Sequence, residues 1–149
     1  MVKLRDYTEI GGNESEVLTA IILSATVAGR ASTVWGEPPG PFITEPCNRV
    51  GWWGVDHYRK YGKAIGRGVQ SRFRSWAEGK KETEIASIEK FLVSLSSNYA
   101  SKKEDLNPEY LTDLASKVFR QAKLYKLLKE ADEDFQAGRL EEAEARVTR

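Results

Sequence analysis

Between Val50 and Lys81 the chain interleaves rings with cations. Trp52, Trp53, His57, Tyr58, Tyr61, Phe73 and Trp76 lie among Arg59, Lys60, Lys63, Arg67, Arg72 and Arg74. Single-stranded nucleic acid needs such a mixture, with charge for its phosphates and flat apolar faces for its bases. Rings at helical spacing more often build a core, so the weight of this reading falls on the six cations. Arg59, Lys60, Lys63, Arg67, Arg72 and Arg74 are therefore the candidate phosphate contacts. Trp52 and Trp53, together with Phe135 and Leu140 near the other end, are candidate interface residues.

Other chemistry is harder to assemble. Gly62 to Gly68 is glycine-rich, but it departs from the GxxxxGK[ST] phosphate cradle in spacing and lacks its Ser/Thr. It reads as a plain connection between helices. His57 is the only histidine and Cys47 the only cysteine. One of each falls short of the four ligands of a typical zinc site. A Cys–His nucleophilic pair is conceivable, but no local signature surrounds Cys47, and a loop cysteine with a helix histidine is the plainer reading. Glu141 and Glu142 lie in a charged stretch, where a solvated face is the normal outcome. No catalytic, cofactor or metal residue is assigned.

Composition narrows the class. The chain has 149 residues, 40% hydrophobic and 30% charged, which suits one folded, helix-rich domain and excludes wholesale disorder. Its net charge of +1 gives no global polyelectrolyte argument. The distribution is uneven. Val50–Lys81 holds eight bases against two acids, and Glu130–Arg149 seven acids against three bases. A basic middle and an acidic end can attract each other, within a chain or between subunits. With one cysteine no internal disulfide can form, and a reducing, cytoplasmic setting is expected. Val17–Ala28 is apolar, but acids precede it where a signal peptide needs bases. It is also shorter than the roughly 20 residues of a membrane span, so it reads as a buried helix.

The elements that must position these residues all show helical spacing. Residues 1–12 are expected as a loose arm, followed by a helical domain over 13–137. Asn13 or Ser15 caps a helix carrying Val17, Leu18, Ile21, Ile22 and Val27. Gly29–Pro46 holds four prolines and three glycines and must be a connection, long enough to suggest a functional or interface loop. Helices follow over Asn48–Tyr61, from about Val69 to Ala77, and over Glu82–Asn98, with a polar loop from Tyr99 to Leu106. Asn107 is a good N-cap and Pro108 fits the first helical position. Leu111, Leu114, Ala115, Val118, Ala122, Tyr125 and Leu128 then form one apolar stripe, which Phe135 extends. Gly138 fits the C′ stop, and 138–149 begins a further helix without a cap, as in a piece of a longer protein. The fold expected is all-α, a single helical domain of about five or six helices.

One further pattern is made of dispersed segments. They are Asn48-Arg49-Val50-Gly51-Trp52-Trp53, Tyr58-Arg59-Lys60-Tyr61-Gly62-Lys63-Ala64, Phe73-Arg74-Ser75-Trp76-Ala77-Glu78, Asn107-Pro108-Glu109-Tyr110-Leu111, Phe119-Arg120-Gln121-Ala122-Lys123-Leu124 and Asp134-Phe135-Gln136-Ala137-Gly138-Arg139-Leu140-Glu141-Glu142-Ala143. Together, over roughly residues 14–149, they resemble the N-terminal region of phage and prophage DnaB-like replicative helicases, members of the RecA-like ATPases. Ile65 stands where that group usually has proline. The resemblance implies an interaction and oligomerisation domain that supports assembly of a homo-oligomeric, hexameric ring and docks primase or a helicase loader. ATP and Mg would belong to an ATPase domain outside these 149 residues, with 138–149 as the start of a linker helix toward it. A stand-alone single-stranded-DNA-binding or loader-like module is the alternative. No membrane partner is expected.

Overall fold

A computed structural model describes residues 7–36, 39–102 and 107–137 of the chain. Six helices, α1 Tyr7–Leu23, α2 Ala25–Val34, α3 Glu45–Tyr61, α4 Gly68–Ala77, α5 Glu82–Lys102 and α6 Pro108–Gln136, account for nearly all of the described residues, and no strand occurs among them. The all-α expectation holds. The proposed linker-helix start, 138–149 with Leu140, lies outside the described residues.

Helix α1 is the hub. Val17, Leu18, Ala20 and Ile21 are all fully buried, and α1 touches α2, α3, α5 and α6. It begins at Tyr7, within the segment expected as a loose arm. The apolar run does not continue as one helix. Ser24 leaves the helical region, and its hydroxyl accepts the Val27 N–H at 3.3 Å. A serine cap inside an apolar run outweighs the periodicity around it, and the chain bends by 114° into α2. No single described helix is long and apolar enough to cross a membrane.

Helix α3 lies against both α1 and α2. Gly54 permits the approach to α1, since a Cβ there would stand 2.9 Å from the Ile21 side chain. Gly62, at φ 67°, ends α3 in the left-handed conformation that glycine adopts without steric penalty. Helix α6 starts as its sequence demands. The Asn107 side chain accepts the Glu109 and Tyr110 N–H groups, and Leu111, Ala115, Val118 and Ala122 are buried. Phe135 departs from that stripe and is 62% exposed. Helix α5 runs to Lys102, into the stretch Tyr99–Leu106 expected as a polar loop.

Candidate interaction groove

The connection between α2 and α3 is shorter than the proline spacing suggested, because α2 continues to Val34. Its described residues are pinned by side chains from three helices. From α1, the buried Glu14 carboxylate accepts the N–H of Ile43 at 2.5 Å, the N–H of Thr44 at 3.1 Å and the Thr44 hydroxyl at 2.9 Å. Thr44 is the N-cap of α3 and makes no side-chain cap bond of its own. Glu14 therefore places a negative charge at the start of α3, where the helix dipole favours it. From α3, the Asn48 amide binds Phe42 twice, accepting its N–H at 2.8 Å and donating to its carbonyl at 3.0 Å. From α6, the Lys126 ammonium donates to the Gly40 carbonyl at 2.9 Å. Phe42 is fully buried between Trp35 and Phe119, with ring centres at 5.9 and 5.1 Å.

The loop so fixed forms one wall of a groove. Trp35, Gly36 and Pro39 face Asn48, Arg49 and Trp52 of α3 across a cleft of about 450 Å³, with Glu45 and Arg59 also lining it. Trp52 is 37% exposed. It stands between this cleft and a second, lined by Arg49, Trp52, Trp53, Arg72, Ser75 and Trp76. Arg49 borders both, paired with Glu45 and 4.8 Å from the centre of the Trp76 ring. The Trp76 indole N–H is buried without a hydrogen-bond partner.

The six candidate phosphate contacts do not form one free surface. Arg59 donates to the Ser32 hydroxyl, the Ser32 carbonyl at 2.7 Å and the Trp35 carbonyl at 3.2 Å, and lies 5.6 Å from the Trp52 ring centre. It caps the C-terminus of α2 and braces the groove wall. Lys60 and Arg72 both bind Asp56, at 3.1 and 2.9 Å. Burial works against the Asp56 charge, but the hydrogen bonds and charges of Arg72 and Lys60 outweigh it and hold the carboxyl below its ordinary range. Lys63, Arg67 and Arg74 are exposed. Of the interface candidates, Trp52 and Phe135 are exposed. Trp53 is 3% exposed and belongs to the core, in ring contact with Trp76 at 6.0 Å.

Cys47 and His57 are not a catalytic pair. They are ten residues apart on α3, about 15 Å along the axis. Burial pushes the Cys47 thiol up to about 12, against a Thr44 hydrogen bond and with a further push from the Glu14 charge. His57 instead lies against Tyr61, with ring centres 4.7 Å apart. Among the described residues, no group of three or more His, Cys, Asp or Glu could hold a metal ion.

Sequence reasoning missed the pins. In the sequence Glu14 is only one of the acids that precede an apolar run, and Lys126 one lysine among several on α6. Their partners lie 29–30 and 86 residues away, beyond any local pattern. Asn48 had a weak signal, a polar side chain at a position that had to be buried if α3 packs on the loop. Compared with protein families, curated proteins and solved structures, the chain matches none.

Proposed function

We propose that this chain is an interaction and oligomerisation module of a DnaB-like replicative helicase. In this reading it supports ring assembly and docks a primase or loader during phage DNA replication in the cytoplasm of the host cell. ATP and Mg act only in an ATPase domain outside these 149 residues. The observation that carries the interaction role is the α2–α3 loop, pinned from α1, α3 and α6 beside an exposed tryptophan. A mere connection needs no such fixing, whereas a docking surface gains affinity from being pre-formed. The assignment to helicases rests on the sequence resemblance.

The alternative, direct binding of single-stranded DNA, is less well supported, because Arg59, Lys60 and Arg72 are engaged within the protein. Two measurements test the proposal. Sequencing the gene past the Arg149 codon should reveal a GxxxxGK[ST] motif following a predicted strand; a stop codon there overturns the helicase assignment. Titration with an oligo-dT strand at low and moderate salt should leave tryptophan emission unchanged. Salt-sensitive quenching that Arg67→Glu with Arg74→Glu abolishes would favour the DNA reading instead.

A further inference from the structure

Trp52 stands among three arginines. Arg49 lies one turn before it on α3, and Arg59 two turns after it, 5.6 Å from its ring centre. Arg72 of α4 lines the second cleft beside it. Each guanidinium already has partners inside the protein. Arg49 holds Glu45 through Nε and Nη2, Arg59 holds Ser32 and Trp35 through the same two atoms, and Arg72 holds Asp56 through Nη1. A guanidinium has five N–H donors in a planar fork, so none of the three is exhausted. Glu45 and Asp56 offset Arg49 and Arg72, which leaves Arg59 and Lys60 in excess. The surroundings of Trp52 are therefore net positive.

That positive charge comes at separate points. Lys63, Arg67 and Arg74 are exposed but line neither cleft, and Glu45 interrupts the border of the first. A nucleic-acid strand carries a charge at every nucleotide and needs a track of cations. A peptide can place carboxylates where the arginines are and apolar side chains between them. The walls suit such side chains. Trp35, Pro39 and Trp52 line the first cleft, and Trp52, Trp53 and Trp76 the second, which no acid lines. Arg49 and Arg59 are ten residues apart on α3, about 15 Å, a distance that an extended chain covers in about five residues.

We propose that the docking element of the partner is a short acidic segment with an aromatic side chain between its acids. The ring enters the cleft between Trp35 and Trp52. The carboxylates on either side of it meet Arg59 at one end and the Arg49–Arg72 cleft at the other, through charge-assisted hydrogen bonds. The proposal rests on the reading of the groove as a docking surface, whose partner chemistry it names, and not on the helicase resemblance.

Calorimetric titration of the 149-residue chain with the peptide acetyl-Gly-Asp-Asp-Phe-Asp-Asp-Leu-Gly-amide tests it, beside the same peptide with Asn or with Lys at every Asp position. The acidic form should bind with a Kd of about 10–300 μM and change the tryptophan emission. Added salt should weaken it. The Asn form should bind roughly tenfold more weakly, because it forfeits the charge-assisted bonds. Trp52→Ala and Arg49→Glu should each cost the acidic form roughly tenfold with circular dichroism unchanged, and Arg49→Glu should gain affinity for the Lys form. Arg49→Gln, a milder change, should give an intermediate loss. An Asn or Lys form that binds wild type as tightly as the acidic form overturns the proposal and leaves the groove a docking surface. No binding by any of the three overturns both. Acidic-peptide binding that is unchanged in Trp52→Ala and Arg49→Glu overturns the proposal, as does displacement of the peptide by an oligo-dT strand. None of these outcomes bears on the gene-sequence test above.

Discussion

Replacing Glu14 by alanine probes the loop clamp directly. The substitution removes the acceptor of the Ile43 N–H, the Thr44 N–H and the Thr44 hydroxyl. An orphaned buried donor costs about 1–3 kcal/mol, and the two amides alone come to about 2–6. Relief of the buried carboxylate works in the opposite direction, so a net loss of about 2–4 kcal/mol is expected. At about 3 °C per kcal/mol for a chain of this length, the melting temperature should fall by ~6–12 °C. Glu14→Gln keeps one acceptor oxygen and should fall between alanine and wild type. The pH dependence adds a second, independent check. Burial raises the Glu14 carboxyl above its ordinary value of 4.5, against the hydrogen bonds of Ile43 and Thr44 and the Lys126 charge. A carboxyl raised in the fold takes up a proton on folding. Its contribution is therefore fully present below the unfolded value and is lost as pH rises through the folded one. The gap between wild type and Glu14→Ala should thus be wider at pH 4 than at pH 7. Urea unfolding at both pH values, followed by tryptophan emission and circular dichroism, measures it. A gap under about 0.5 kcal/mol at pH 7, or one that narrows on acidification, would refute the clamp or the dominance of burial respectively.

Three further outcomes are expected. Cys47 should resist a thiol reagent at pH 8 in the folded chain and react on addition of urea, because its thiol is buried and raised to about 12; rapid labelling of the native protein would contradict this. Gly51→Ala should lower stability by about 1–3 kcal/mol, since the new Cβ would stand 2.5 Å from the Trp35 ring; an unchanged urea midpoint would show that Trp35 moves freely. Asp56 has a lowered folded value, so its contribution is present above the ordinary 3.8 and lost as pH falls through the folded value. Asp56→Asn should flatten that acid limb by about 0.2–1 kcal/mol, as Lys60 and Arg72 are partly exposed, and an acid limb as steep as wild type would argue against the pairing.

Much of the fold was legible because it is local. The Asn107-Pro108 start of α6, the Gly62 stop of α3 and the stripe Leu111, Ala115, Val118, Ala122 are set by residues within one or two turns of each other. The failures have physical reasons too. Ser24 split the first helix because a side-chain cap competes with propagation. Phe135 continues the spacing of the stripe, but at that end of α6 the buried positions are Ala131 and Asp134, and Phe135, about 100° further round than Asp134, faces solvent. The groove was half visible. The proline loop and Trp52, expected at a surface, do line the groove, while Trp53, an interface candidate with them, turns by about 100° into the core. Arg59, Lys60 and Arg72 looked alike as charges, and only tertiary contacts separate a helix-capping arginine from a salt-bridged one.

The clamp also sets when the groove can exist during synthesis. Gly40 waits for Lys126, 86 residues later in the chain. At a translation rate of about 5–20 residues per second, that interval is roughly 4–17 s. Glu14 and Asn48 can engage the loop early, but the pin from α6 arrives only near the end. A nascent chain thus exposes Trp52 before the opposite wall is fixed, and a truncated product lacking α6 never fixes it. On the proposed docking role, partner capture becomes a property of the finished chain, which would keep incomplete copies out of an assembly.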